Sequence, residues 1–319
     1  MWRSAKWSMR ISFIHRTLPD CCGRAILGRE GRIFHRSGGV TLLEALRLDG
    51  PPRRVAIVTG GSRGLGREMA RSLMLAGADV CIASRTPAQL EATAAFLAEQ
   101  SGREPLTVAT DITSSAECDR LIEATVEHFG RLDIMVNNAG IGDSPGRGKA
   151  VWEIEDEDWL GGIAVNLNGT FYCTRAALRH MRPQESGAIL NIASGMGMRA
   201  TPQSPTYAAA KAGVINFTQT VASAVARDGI RVNCITPGLV EQRPTETEEE
   251  AEAIRKRGSY ITARRLGQAW ELGPLALFLC SDASSYVTGA NYPIDGGGLA
   301  GGIAPTGHAP DEVEARTDG

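Results

Sequence analysis

Between residues 53 and 297 the chain alternates short apolar runs with longer amphipathic stretches. The runs are "RRVAIVT" (53–59), "ADVCIAS" (78–84), "LTVATDI" (106–112), "LDIMVNNAG" (132–140), "GAILNIAS" (187–194) and "IRVNCITPG" (230–238), and "NYPIDGG" (291–297) closes the series. Each has the length of a strand, and most are apolar at consecutive positions, the pattern of a strand covered on both faces. The stretches between them predict helices. Thr86, for example, stands as a cap with Pro87 in the first turn, where a missing N–H costs nothing. Strand and helix in alternation imply a parallel sheet with helices on both sides, and right-handed crossovers make it doubly wound. The predicted fold is α/β: a Rossmann-type single domain of about seven strands over residues 45–298. No repeat of 20–50 residues and no second core interrupts it.

In such a sheet, ligands bind beyond the carboxyl ends of the strands. In order, those ends read "TGGSRGLG", "SR", "TDI", "NNAG", Ser194 and "TPG", small or polar throughout. The first follows a strand and opens a helix, and its Gly60, Gly64 and Gly66 have GxxxGxG spacing. Glycines allow a tight turn and a close approach of backbone to a phosphate at a helix N-terminus. An acid about 20 residues further on would hold the ribose 2′-hydroxyl of NAD(H). Here that position is Ser84, followed by Arg85, and Arg63 lies inside the loop itself. Two guanidiniums and no carboxylate suit the 2′-phosphate of NADP(H), with NAD(H) as the alternative.

Composition narrows the class further. A hydrophobic share of 43% with 22% charged residues is ordinary for a soluble globular protein, and a net charge of -2 gives no electrostatic footing for nucleic acid or an anionic membrane. No apolar run approaches the roughly 18 residues needed to span a bilayer. The seven cysteines are scattered without a CxxC pair, which suits reduced thiols in a cytoplasmic compartment. The five histidines show no metal-ligand spacing with cysteines or acids, so no metal is expected. The ends stand apart from the core. Residues 1–40 carry eight Lys and Arg against only Asp20 and Glu30, and residues 1–44 read as a disordered extension or a stretch translated from too early a start. An organelle transit peptide is the alternative. Residues 299–319, rich in Gly, Pro and acids, read as a flexible tail.

Within "SPTYAAAKAG", Tyr207 and Lys211 lie four residues apart in an alanine-rich stretch, which puts phenol and ammonium on one helix face. A phenol near pKa 10 is a sluggish base at pH 7. A cation about 5 Å away would stabilise the phenolate by roughly 3 kcal/mol at an effective dielectric of about 20.

The pieces "TGGSRGLG", "DIT", "NNAG", "VNLNGTF", "NIAS", "YAAAK", "TPG" and "FLCSDASSYVTGANYPIDGG" resemble, in kind and order, the short-chain dehydrogenase/reductase family. The likeness covers about residues 45–298. It implies an NAD(P)-dependent oxidoreductase that moves a hydride between a nicotinamide and a carbonyl or secondary alcohol. It implies a catalytic tetrad of Asn166, Ser194, Tyr207 and Lys211. In that tetrad Tyr207 is the general acid/base, Ser194 binds the reacting oxygen, and Asn166 organises a water beside Lys211. Cofactor contacts are implied at Gly60, Ser62, Arg63, Gly64, Leu65 and Gly66, at Ser84, Arg85, Asp111 and Ile112, and at Asn138, Ala139 and Gly140. Tyr207, Lys211, Pro237, Gly238 and Val240 complete that set, and a homo-oligomer, tetramer or dimer, is implied as well.

Two positions depart from the family pattern. Four residues past the glycine of "TPG", many relatives carry a threonine that helps bind the nicotinamide carboxamide. Here Gln242 stands in its place, and Gln242 or Thr245 would take the contact. Carrier-protein reductases of the family typically show "LAREVA" after the Tyr–Lys pair. This chain reads "VASAVA" (221–226), with Ser223 at the arginine position, while Arg179 and Arg182 offer basic character elsewhere. The expected substrate is therefore a small or medium carbonyl or secondary alcohol, with 3-oxoacyl-[acyl-carrier-protein] reduction as the alternative. Some proteins of this fold only sense dinucleotides, but those usually lose the tyrosine or lysine, and both stand here. "PTETEEEAEAIRKR" predicts a helix with acids first and bases last, and by resemblance it forms the mobile flap over the substrate.

Overall fold

The computed structural model describes residues 41–300, apart from 200, 201, 203 and 244. The expectations for the extension and the tail therefore lie almost wholly outside the described residues. The strands are β1 (Val55–Thr59), β2 (Asp79–Ser84), β3 (Leu106–Ala109), β4 (Ile134–Asn137), β5 (Gly187–Ile192), β6 (Ile230–Pro237), β7 (Val240–Glu241), β8 (Gly267–Gln268) and β9 (Asn291–Ile294). The helices are α1 (Leu42–Ala45), α2 (Gly64–Leu75), α3 (Pro87–Ser101), α4 (Ser115–Phe129), α5 (Asp156–Ile163), α6 (Gly169–Gln184), α7 (Pro205–Val225), α8 (Glu248–Ser259) and α9 (Leu272–Cys280). A π-helical turn, Ala164–Asn168, joins α5 to α6. No helix among the described residues is long and apolar enough to cross a membrane.

Seven strands form one parallel sheet in the order β3-β2-β1-β4-β5-β6-β9, the doubly wound arrangement that the alternation predicts. Successive side chains of a strand point to opposite faces, so consecutive apolar residues serve two cores. In β1, Ala56 and Val58 join Met69 and Leu73 of α2 and Leu272 and Ala276 of α9. Ile57 faces the other way, with Leu121 of α4 and Ala176 and Ala177 of α6. α9 lies directly on α2 because residue 273 is a glycine: a Cβ there would fall 2.0 Å from Ser72 Oγ. The edges differ from the centre. β3 is only half buried, and β9 carries Pro293, whose missing N–H is tolerated on an edge strand.

The core begins slightly ahead of β1. Leu48 is buried and its N–H donates to Ala76 O at 2.8 Å, tying the segment before the sheet to the end of α2. α8 is capped as its composition predicts: the Thr247 hydroxyl accepts from Glu250 N at 3.2 Å, with Glu248, Glu249 and Glu250 in the first turn and Lys256 and Arg257 in the last. The sequence gives no sign of the two-residue β7–β8 pair, which is too short to carry a periodicity.

Candidate active site

The strand order reverses between β1 and β4, and that opens a crevice beyond their carboxyl ends. Thr59, the last residue of β1, holds the crevice together. Its hydroxyl donates to Val136 O at 3.2 Å and accepts from the N–H groups of Asn138 and Ala139, each at 3.1 Å. The Asn138 amide donates in return to Thr59 O and Gly60 O, at 2.9 and 3.2 Å. The glycine turn and the "NNAG" segment are thus one hydrogen-bonded unit.

Two glycines are required sterically. Gly60 has φ +63° and faces Asn138, while a Cβ on Gly66 would lie 2.2 Å from Gly60 O. The turn folds back on the start of α2, whose first N–H groups have no intrahelical partner. That cradle fits a pyrophosphate.

A cavity of about 360 Å³ runs from this turn in both directions. Towards β2 it is lined by Ser62, Arg63, Leu65, Ser84, Arg85, Asp111 and Ile112. The Ser84 hydroxyl is buried there with no hydrogen-bond partner, and Arg63 and Arg85 are exposed. Asp111 is shaped by its own loop, its carboxylate accepting from Thr113 N and Thr113 Oγ1 at 2.9 and 2.8 Å. An orphaned hydroxyl in a stretch of cavity that two exposed arginines also line fits the adenosine half of a dinucleotide.

Towards β5 and β6 the lining is Asn138, Ala139, Gly140, Ser194, Tyr207, Lys211, Pro237 and Gly238. Ser194 follows β5 and caps a single turn, its hydroxyl accepting from Met196 N at 3.3 Å. Tyr207 and Lys211 stand one turn apart on α7, with Lys211 Nζ 5.7 Å from the centre of the phenol ring. Lys211 is buried and donates to Ile192 O at 2.9 Å. Asn166 sits in the π-helical turn, fully buried behind the cavity wall; its Oδ1 accepts from Ile141 N at 3.0 Å and its Nδ2 donates to Gly162 O at 3.2 Å. A Cβ on Gly140 would lie 2.8 Å from Asn166 Oδ1 and 3.3 Å from Lys211 Nζ, so these two groups approach each other across that glycine.

The electrostatics differ from the expectation that Lys211 depresses the phenol. Burial pushes Tyr207 above its ordinary value of 10, and the hydrogen bond from Ser194 opposes this only in part. Burial sets the direction of the phenol's shift, and the Lys211 ammonium is itself desolvated and donates to the Ile192 carbonyl. Burial brings Lys211 down from 10.5 to about 8. Between those two values the unfolded chain holds the proton more tightly, so this group makes stability rise with pH over that window. Below it, the buried ammonium costs on the order of 3 kcal/mol. Lys211→Met is therefore expected to raise the melting temperature of the cofactor-free protein at pH 7, with the advantage shrinking as pH rises towards 10.5. Thermal denaturation across that range checks it, and an advantage independent of pH would count against a desolvated ammonium.

Three expected residues take other positions. Gly64 and Gly66 shape the turn from below without lining the cavity, and the Val240 side chain turns to β8, 3.3 Å from where a Cβ on Gly267 would be. Val240 packs against the core and is not part of the cavity wall, because its strand pairs with β8. Of the two candidates after "TPG", Gln242 lines the cavity and Thr245 does not.

Thr86, Gln89 and Val165 line it although the strand-end reading does not include them. Thr86 and Gln89 follow β2 directly, so the strand-end rule would have found them had it been carried into the next helical turn. Also unforeseen is a buried amide chain beneath the site. Asn137 Nδ2 donates to Asn191 Oδ1 at 2.8 Å, and Asn191 Nδ2 donates to Thr218 Oγ1 at 2.9 Å, linking β4 and β5 to α7.

Comparison with known proteins agrees with this geometry. A family model described as enoyl-(acyl carrier protein) reductase matches residues 60–298. A 3-oxoacyl-[acyl-carrier-protein] reductase of Synechocystis sp. is 39% identical over 247 residues, 76% of this chain and 96% of that one. A (5R,7aS)-5-hydroxy-7a-methyl-1-oxo-2,3,5,6,7,7a-hexahydro-1H-indene-carboxyl-CoA reductase of Mycobacterium tuberculosis is 36% identical over 244 residues, 76% of this chain and 90% of that one. Among solved structures, levodione reductase superposes with a TM-score of 0.73 at 34% identity, covering 77% of this chain and 98% of its own. The chain belongs to the short-chain dehydrogenase/reductase family. It is an NAD(P)-dependent oxidoreductase acting on carbonyl or hydroxyl groups, and the alternative of a dinucleotide sensor falls away.

Proposed function

We propose that this enzyme is an NADP(H)-preferring reductase of small or medium carbonyl compounds, or a dehydrogenase of the matching secondary alcohols. The observation that carries the cofactor preference is that Arg63 and Arg85 line the cavity together with the unpartnered Ser84 hydroxyl, with no carboxylate at the end of β2. A bound nicotinamide supplies or accepts the hydride. Tyr207 gives the proton to the forming alkoxide, and its raised pKa keeps it protonated at neutral pH for that purpose. Ser194 donates a hydrogen bond to the same oxygen. Lys211 and Asn166, meeting across Gly140, hold the proton path behind the phenol.

Arg179 and Arg182 bear on the carrier-protein alternative. Arg179 pairs with Asp119 at 3.1 Å and Arg182 with Asp228 at 2.7 Å, so neither presents an isolated cation to an acidic carrier. Ser223, at the position of the missing arginine, is exposed and turned back to Thr220 O. The names of the carrier-protein reductases among the relatives favour the second reading. A screen of ketones, sugars and 3-oxoacyl thioesters, followed by NADPH absorbance, decides between them. The expected result is turnover of free carbonyls. Fast reduction of a carrier-bound 3-oxoacyl group, falling steeply with salt, would promote the alternative.

Two coarser expectations have structural support. Leu160 on α5 and Phe171 on α6 are exposed, which suits burial in a homo-oligomer, dimer or tetramer. Cys81, Cys118, Cys173, Cys234 and Cys280 are buried and unpaired, which suits the reducing cytoplasm. Residues 45–298 would form the catalytic domain, with the extension and the tail outside it.

A further inference from the structure

We propose that Gln242 binds the cofactor pyrophosphate from the flap side, and does not take over the carboxamide contact that a threonine makes in its relatives. The inference rests on the dinucleotide reading of the cavity. Gln242 lines that cavity together with Gly60, Ser62 and Arg63. A Cβ on Gly64 would sit 3.1 Å from Gln242 Oε1, 3.3 Å from its Cβ and 3.5 Å from its main-chain oxygen. The whole residue, side chain and backbone, therefore lies on the first residue of α2.

Gly64 has φ +53° and opens the helix whose unsatisfied N–H groups face the phosphate cradle. The left-handed backbone keeps residue 64 a glycine, and Gln242 rests against the face that glycine leaves open. The Gln242 carboxamide is exposed and makes no hydrogen bond among the described residues, so its two N–H donors are unspent. A neutral amide suits this place, since it supplies donors to an anion alongside α2. The reacting end of the cavity is bounded by Ser194, Tyr207 and Lys211, whereas Gln242 is folded back onto the glycine turn.

The position also couples cofactor and flap. Just before Gln242, β7 is paired to β8 through Val240–Gly267 and Glu241–Gln268. Just after it, Arg243 pairs with Glu246 and with Glu250 of α8. An anion held between α2 and Gln242 would fasten the root of the flap to the domain.

The test compares NADPH with 2′-phospho-ADP-ribose, the same molecule without its nicotinamide, by calorimetric titration of the wild type, Gln242→Ala, Gln242→Thr and Gln242→Glu. Gln242→Ala is expected to weaken both ligands equally, by roughly tenfold. Gln242→Glu should weaken both further and more so at low salt, through like-charge repulsion. Gln242→Thr should match the alanine variant, because its hydroxyl is too short to reach back over Gly64. Because the side chain is exposed, melting temperatures should hold, which separates loss of binding from loss of fold. Weakening of NADPH alone would assign Gln242 to the carboxamide and overturn the proposal, as would unchanged affinity for both ligands. If the wild type binds neither ligand, the dinucleotide reading beneath the proposal fails with it.

Discussion

Tyr207→Phe is expected to lower turnover by at least about a thousandfold while leaving the affinity for NADPH within about twofold of the wild type. The substitution removes one hydroxyl and leaves the ring, so α7 and the packing around it are kept. What is lost is the phenol hydroxyl, which lines the cavity beside Ser194. Ser194 still donates to the reacting oxygen in the variant, but a hydrogen bond cannot replace the transferred proton. The pH profile of the wild type is part of the same expectation. Burial holds the phenol above its ordinary value, so the phenol stays protonated through neutral pH and the loss of reduction rate due to its own titration should come only in strongly alkaline solution. Steady-state rates from pH 6 to 11, with cofactor binding followed by fluorescence, check both parts. Full activity of Tyr207→Phe on a good substrate would remove Tyr207 from the chemistry.

The second large effect is expected at the other end of the cavity. Arg85→Asp should reverse the preference for NADPH over NADH, or reduce it by about a hundredfold or more. The substitution exchanges an attraction for a repulsion towards the 2′-phosphate and offers a carboxylate to a free 2′-hydroxyl. Arg63 remains in the variant, so some affinity for the phosphate should persist, and Arg63→Ala in the same background should remove it. The ratio of kcat/KM for the two cofactors is the measurement. A wild type that uses NADH as well as NADPH would refute the assignment before any variant is made.

The parts of this protein that were legible in the sequence are those where a local rule has few exceptions. Six apolar runs and one closing run located all seven strands of the sheet, the central ones because a strand covered on both faces is apolar at consecutive positions. The glycine turn could be read because Gly60 has a left-handed backbone and Gly66 has no room for a Cβ.

Other features were hidden because they depend on distant partners. Lys211 reads as a cation beside a phenol, but its titration is set by burial under β5, which four residues of spacing do not reveal. Asn137 and Asn191 look like ordinary strand-end polar residues until the sheet sets them side by side. Val240 was a cofactor contact implied by the family resemblance, and the β7–β8 pairing that draws its side chain towards β8 leaves no mark in the pattern.

The π-helical turn that carries Asn166 also has a consequence for the length of the chain. A single α-helical residue advances the direction of a side chain by about 100°. Between Asp156 and Gln184 the backbone runs as one rod, α5 into α6, with a wider turn at Ala164–Asn168. That turn acts as a phase shifter: it lets the α5 end and the Cys173–Ala177–Met181 stripe of α6 each meet the neighbours they need. Deleting one residue there would restore a regular helix and rotate one half against the other by that angle, misplacing either Asn166 or the α6 stripe. The site therefore fixes the residue count between α5 and the buried stripe of α6.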